Sequence, residues 1–399
     1  MFVLKAAFCR VFQLAFRAVL PVLPYREPML LPACKDIPTT LKAENADSVL
    51  IVTDKGVASH GLLTPIQSLL DESGIRWTVY DETRPNPTVE NIEAALTLYR
   101  QAGCKALIAV GGGSAMDCAK ATGARLAHPR KSLRQMKGIL RVWRKLPPLI
   151  AVPTTAGTGS EVTLAAVITD SAKKDKYALM SFPLIPRYAV LDPQMTVSLP
   201  QSLTATTGMD ALTHAVEAYI GRSTTAHTRR YALEATRLIF ENLPIAYADG
   251  CNLDARRSML LAAYQAGDAF SQSYVGYIHA VAHSLGGYYG IPHGLANAVI
   301  LPVVLEMYGK PAHKKLHALG VAAGVCTESM SHKEGASTFI RAIRAMNEAM
   351  GIPTALAGIV KEDIPALARH AEKEANPLYP VPKLMTAKEL EAIYLAVAE

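Results

Sequence analysis

The chain has 399 residues, 50% hydrophobic and 19% charged, with 26 Gly and 25 Pro, which excludes a disordered, collagen-like or low-complexity protein and predicts two or three domains with full cores. Forty-one Lys and Arg against 34 Asp and Glu leave +7, spread thinly except for Arg130, Lys131, Arg134, Lys137, Arg141, Arg144 and Lys145; with Trp143 as its single aromatic the run forms no aromatic-interleaved basic motif and reads as a solvated face, and no nucleic acid is expected as a partner. Cys9, Cys34, Cys104, Cys118, Cys251 and Cys326 show no CxxC spacing, so neither a disulfide framework nor a zinc ribbon is signalled and a reducing, cytoplasmic setting is expected.

Met1–Leu31 carries Lys5, Arg10 and Arg17 with no acid before Glu27, and Phe8, Phe12 and Phe16 recur near helical spacing until Pro21 and Pro24. The pattern predicts an amphipathic extension over 1–31 that docks by its phenylalanine row on the body or on a partner subunit, ahead of the alternatives of a targeting sequence or a membrane-surface helix. Its uncharged runs fall far short of the ~18 residues of a bilayer span, and no cleavage site is clear, so stable membrane insertion is not expected.

Continuous apolar runs of strand length follow at Ser48–Val52, Trp77–Tyr80, Ala106–Val110 and Leu149–Val152, separated by amphipathic stretches such as Val89–Ala102 and Ser114–Ala127. This is the βαβ signature of a parallel sheet buried on both faces. Thr163–Thr169 and Tyr177–Ser181 predict a small antiparallel pair before a last strand at Ala189–Leu191, after which Gln201–Tyr219, Thr228–Asn242 and Asp254–Asp268 take helical spacing. The boundary is set at 197, giving an α/β domain over 32–197 and a helical domain over 198–399, with ligands expected in a cleft between them.

Ala106–Val110 runs into Gly111, Gly112, Gly113 and Ser114 and then a helix, the context of a phosphate-binding turn, although the spacing is not GxGxxG. Asp117 in that helix suits either the loop or a cofactor. A second polar loop, Pro153–Glu161 (PTTAGTGSE), offers Thr154, Thr155 and Thr158 at the end of the neighbouring strand; Ser160 and Glu161 also suit a helix cap. Asp54 closes the first strand, where a carboxylate can accept ribose hydroxyls and repel a 2′-phosphate.

In the helical half Asp210 and His214 stand at i, i+4 in GMDALTHAVEAY, His279 and His283 repeat the spacing, and His293 follows in IPHG. Ala269–Leu305 contains no Asp, Glu, Lys or Arg, yet buried imidazoles need partners, so one carboxylate and three imidazoles point to a divalent metal with an open position. Spacing nominates His283 as readily as His293. His60, His128, His227, His313, His317, His332 and His370 lie among polar residues and are expected at the surface.

GGGSAMDCAK at Gly111–Lys120, PTTAGTGSE, GMDALTHAVEAY and HAVAHSLGGYYGIPHGLANAVILP at His279–Pro302 resemble the iron-containing (group III) alcohol dehydrogenase family, in order and from about Val49 onward. The resemblance implies a dehydroquinate-synthase-like two-domain fold, a parallel-sheet dinucleotide domain followed by an all-helical metal domain. It implies that Asp210, His214, His279 and His293 hold the metal while His283 acts on substrate without ligating, and that NAD meets Asp54, Asn86, Gly112, Gly113, Ser114, Asp117, Thr154, Thr155, Thr158 and Lys176. It further implies a homo-oligomer, ferrous iron ahead of zinc, and hydride transfer between NAD(H) and a small, mostly apolar alcohol or aldehyde. The rivals are a dehydroquinate-synthase-like lyase, a glycerol-dehydrogenase-like enzyme, or a non-catalytic NAD- or metal-binding regulator; the lyase needs basic residues that Ala269–Leu305 does not offer.

Overall fold

The computed structural model describes residues 2–173 and 175–399; Met1, the first residue of the expected extension, lies outside it. The chain divides into two compact units, Pro24–Leu199 and a helical unit in which Pro200–Glu399 is joined by the N-terminal stretch up to Leu23.

In the first unit the strands are β1 (Met29–Leu31), β2 (Ser48–Val52), β3 (Arg76–Tyr80), β4 (Ala106–Gly111), β5 (Gly138–Ile139), β6 (Leu149–Pro153), β7 (Ala165–Asp170), β8 (Asp175–Met180) and β9 (Tyr188–Val190). Among the described residues six of them form an all-parallel sheet in the order β1-β9-β6-β4-β2-β3. Leu50, Val52, Leu107 and Ala109 point to one face, against the helices Val89–Gln101 and Gly113–Ala127. Val49, Ile51, Ile108 and Val110 point to the other, against Ile37–Ala43 and Thr64–Glu72. Two covered faces explain why these strands are apolar without alternation. β7 and β8 pair antiparallel, with β5 parallel to β8.

β1 was not expected. It adds to the edge of the sheet through Met29–Leu31 on Tyr188–Val190, so the last residues of the predicted extension belong to the α/β unit. A second difference concerns the helix Phe2–Val19. It docks, but not by the phenylalanine row: Cys9, Gln13 and Leu20 are buried, whereas Phe8 and Phe12 are exposed. Only Phe16 of the row packs inward, edge-on to Tyr274 with ring centroids 5.1 Å apart. The docked side is held by Gln13 Nε2 donating to Tyr379 O at 2.8 Å and Arg10 Nη1 donating to Val381 O at 2.7 Å. Buried carbonyls of this kind must find donors, and that requirement outweighs apolarity in choosing which stripe faces the protein.

The helical unit packs Gln201–Ile220, Ala226–Ala248, Leu253–Ser273, Tyr277–Tyr289 and His293–Tyr308, then continues helical to Val397. Gln201–Ile220 and His293–Tyr308 cross so closely that a Cβ on Gly294 would stand 2.5 Å from Thr206 O. Among the described residues no helix is long and apolar enough to cross a membrane. Two histidines expected at the surface are buried: His128, whose Nε2 accepts from the backbone N–H groups of Trp143 and Arg144, and His317, which meets Thr327 O and His332.

Candidate active site

In the α/β unit the ends of β2, β4 and β6 lie side by side, so the segments that leave them share one edge of the sheet. Gly111 has φ +152, a conformation that L side chains rarely adopt, and a Cβ there would meet Ala115 at 2.7 Å. Gly112 starts the next helix with no side-chain cap, which leaves the N–H groups of its first turn facing outward. Across from them, the Gly112 and Gly113 positions approach Thr155 Oγ1 and Thr158 Cγ2. Thr154 N donates to Gly111 O at 3.1 Å and ties the two loops together.

Asn86, itself at φ +55, accepts from Lys176 Nζ at 2.7 Å and donates its N–H to Ser114 Oγ at 3.3 Å, so Asn86, Ser114 and Lys176 form one chain beside the glycine turn. Asp54 caps the helix Lys55–Ser59 by accepting from Val57 N at 3.0 Å, while its Oδ2 faces the Gly111 position. Asp117 behaves differently. Its Oδ1 accepts from Ser160 Oγ and its Oδ2 from Val167 N, both at 3.0 Å, so of the two roles open to it the geometry fits the loop. Ser160 and Glu161 cap no helix; they are buried in the turn before β7.

Lys120, which spacing gave no reason to single out, is fully buried and donates to Ser160 Oγ, Thr163 O, Thr163 Oγ1 and Ala165 O at 2.9–3.0 Å. Burial pulls its amine down to about 8 against the opposing fields of Asp117 and Glu161. It pins the threonine loop to the helix Gly113–Ala127.

In the helical unit, Asp210 and His214 project from Gln201–Ile220, His279 from Tyr277–Tyr289, and His293 from the first position of His293–Tyr308. One ligand atom from each lies within 4.8 Å of the other three. Asp210 Oδ1 is 3.5 Å from His293 Nε2 and 4.0 Å from His279 Nε2. His214 stacks on Phe270 and on His279, with centroids 4.1 and 4.6 Å apart. His283 turns its Nδ1 to Glu374 Oε1 at 2.6 Å and stacks on His293.

Three residues here were not anticipated. Glu217, one turn beyond His214 on the same helix, accepts from Gly276 N at 2.7 Å and Ile278 N at 2.8 Å and lies 2.6 Å from His279 Nδ1. Gly276 lets the carboxyl come this close: a Cβ there would stand 2.6 Å from Glu217 Oε1, and the side chain would have to shift. Burial pushes Glu217 up to about 8, and burial followed by the fields of His214, His293 and His283 holds His279 well below its ordinary range. A neutral His279 donating from Nδ1 leaves the Nε2 lone pair facing the cluster.

Asn297, four residues after His293, places its Nδ2 2.6 Å from Asp210 Oδ1, 3.1 Å from His293 Nε2 and 3.3 Å from His279 Nε2, while its Oδ1 has no partner among the described residues. Three acceptors thus converge on one donor group. A site whose lone pairs all face one point fits a cation, and its nitrogen and oxygen donors suit a borderline divalent ion. Glu374, the third residue, accepts from Tyr379 Oη at 2.8 Å; burial would raise its carboxyl, but His283, Tyr379 and His370 together hold it below the usual range.

Residues 32–193 match the iron-containing alcohol dehydrogenase family and residues 204–398 match the C-terminal part of the Fe-containing alcohol dehydrogenase family. The chain belongs to the iron-containing alcohol dehydrogenase family. It is 39% identical to alcohol dehydrogenase 4 of Saccharomyces cerevisiae over 84% of this chain and 87% of that one. It is 36% identical to an NAD-dependent methanol dehydrogenase of Bacillus methanolicus over 85% and 89% of the two chains. The alcohol dehydrogenase of Oenococcus oeni superposes with a TM-score of 0.89 at 34% identity, covering 94% of this chain and 100% of that one. As an iron-containing alcohol dehydrogenase the chain is an oxidoreductase of the alcohol dehydrogenase and aldehyde reductase kind.

Proposed function

We propose that this chain catalyses reversible hydride transfer between NAD(H) and a small, mostly apolar alcohol or aldehyde, using a divalent ion held by Asp210, His214, His279 and His293, with ferrous iron favoured and zinc the alternative. The observation that carries the reading is the convergence of Asp210 Oδ1, His279 Nε2 and His293 Nε2 on Asn297 Nδ2. When bound, the ion supplies Lewis-acid polarisation of a substrate oxygen, and the nicotinamide supplies the hydride acceptor or donor.

The remaining work falls to the chain. Asp210 contributes one negative charge, and Glu217 orients His279 and keeps its inward nitrogen unprotonated. His283, one helical turn from His279, holds a proton at Nδ1 against Glu374, so its Nε2 exchanges a proton with substrate or water. Tyr379 steadies that carboxylate. In the α/β unit the uncapped helix start at Gly112 and the hydroxyls of Thr154, Thr155 and Thr158 suit a diphosphate, Asn86, Ser114 and Lys176 line its flank, and the free oxygen of Asp54 suits a ribose. Asp117 supports this cradle by holding its loops.

The absence of any charged residue in Ala269–Leu305 supports an apolar alcohol and speaks against the phosphorylated, carboxylated substrate of a lyase. Six free cysteines among the described residues support a cytoplasmic location. The test is NADH consumption over a panel of short aldehydes by dialysed protein, with ferrous or zinc ion restored. Turnover of at least one short aldehyde that depends on the added ion is expected; ion-independent activity, or none on the panel, contradicts the reading.

A further inference from the structure

The helix Phe2–Val19 is apolar on two opposite sides. Cys9, Gln13, Phe16 and Leu20 face the helical unit. At about 100° per residue, Leu4, Phe8, Val11, Ala15 and Ala18 point the other way. Leu4, Phe8, Val11 and Leu14 are 78, 61, 66 and 62% exposed. No charged residue interrupts this outward row. Its flanking Lys5 and Arg10 are tied inward, to Glu372 and to the carbonyls of Val381 and Pro382. A contiguous exposed patch of large aliphatic and aromatic side chains marks a surface that meets something other than water.

Further round the same helix, past Leu14, lies a second, independent feature. Arg17 of the same helix borders a cavity of about 430 Å³ that is also lined by Arg222, Arg229 and Lys315, and among the described residues no carboxylate lines it. Arg229 leans on Thr224 Oγ1 at 3.0 Å, and Lys315 Nζ donates to Ile220 O and Gly221 O, neutral groups that leave the charges unanswered. Burial, and then the like charges of Arg229, Arg17 and Arg222, pull the Lys315 amine down to about 8. Four cations are therefore held together at the edge of an apolar face with nothing anionic opposite.

We propose that this face rests on an anionic lipid surface, with the outward row of Phe2–Val19 in the acyl boundary and Arg17, Arg222, Arg229 and Lys315 on headgroup phosphates. An apolar row edged by cations matches a membrane boundary, which is apolar within and anionic at its rim. A second copy is the poorer occupant, because residues 1–26 contain no acid that could answer the partner's cations. The association is peripheral and needs no spanning segment.

The test sediments the full-length protein with phosphatidylcholine vesicles, either pure or containing about one-third phosphatidylglycerol. The anionic vesicles are expected to carry down most of the protein and the neutral ones little, with salt at about 0.5 M releasing it. Phe8→Ser with Val11→Ser, and separately Arg222→Gln with Arg229→Gln, should each weaken partitioning about tenfold or more while kcat in solution, which also reports folding, stays unchanged. Equal sedimentation with both vesicles, or wild-type partitioning by both variants, overturns the proposal. So does a wild type that ignores vesicles but whose assembly mass falls on Phe8→Ser with Val11→Ser, since a second copy then covers the row.

Discussion

His279 Nδ1 lies 2.6 Å from Glu217 Oε2, and the same carboxylate accepts the backbone N–H groups of Gly276 and Ile278 at the start of the helix that carries His279. One buried side chain thus fixes both the tautomer of an inward-facing imidazole and the entry of its helix.

Glu217→Gln replaces one carboxyl oxygen by an amide N–H, which must face either Ile278 N or the pair Gly276 N and His279 Nδ1. Metal affinity should fall by about 10–100-fold, measured by competition with a chromophoric chelator. An unchanged affinity would show that Glu217 only caps the helix.

Asn297→Leu tests whether the amide stands in for a cation. Without metal, Asp210 Oδ1 and the Nε2 atoms of His279 and His293 lose their shared donor, and each unsatisfied acceptor costs about 1–3 kcal/mol. The chelator-treated variant should therefore melt several degrees below chelator-treated wild type, at roughly 1 °C per kcal/mol for a chain of 399 residues, and the gap should shrink when metal is restored. An equal drop in both states would make Asn297 a packing residue alone.

Glu374 is held below the ordinary carboxylate range in the fold by His283, Tyr379 and His370, against the upward push of its burial. A depressed carboxyl contributes stability that is present above its unfolded pKa, about 4.3, and is lost as pH falls through the lower folded value. Glu374→Gln should flatten the acid limb of the stability curve, followed by melts between about pH 3 and 6. It should also lower kcat while leaving bound metal stoichiometric; loss of metal would place Glu374 in the metal set.

Asp54 accepts from Val57 N with one oxygen and leaves the other facing the glycine turn. NAD should be preferred over NADP, because a 2′-phosphate would meet that carboxylate. Asp54→Asn keeps an N-capping oxygen but removes the charge, so kcat/KM with NADP should rise relative to NAD. Equal kcat/KM for both cofactors in the unmutated protein would contradict the assignment.

The parts of this fold that were legible in the sequence are those where burial is one-dimensional. β2, β4 and β6 are continuous apolar runs because both faces are covered, and their limits were readable to within a residue. β1 and β5, of three and two residues, are too short to carry a period. The N-terminal helix was legible as a helix but not in its orientation: apolar on two opposite sides, it does not say which of them docks, and the docked side follows from hydrogen bonds of Arg10 and Gln13 to a segment some 370 residues away.

The candidate site divides in the same way. Asp210 and His214 were visible as an i, i+4 pair, and Glu217 continues that face at i+7, a signal that was present and overlooked. Spacing could not separate His283 from His293, because what occupies His283 is Glu374, 91 residues further along the chain. Lys120 carried no signal, since its partners lie 40–45 residues away in the threonine loop and β7.

The central claim, that Asp210, His214, His279 and His293 hold the ion while His283 handles the proton, is tested most directly by metal content. Purified His279→Ala, His293→Ala and His283→Ala proteins, equilibrated with ferrous ion under anaerobic dialysis, are to be assayed for iron per chain. The account predicts near-stoichiometric iron in His283→Ala with a depressed kcat, and almost none in His279→Ala and His293→Ala. Iron retained by His293→Ala and lost from His283→Ala would contradict it.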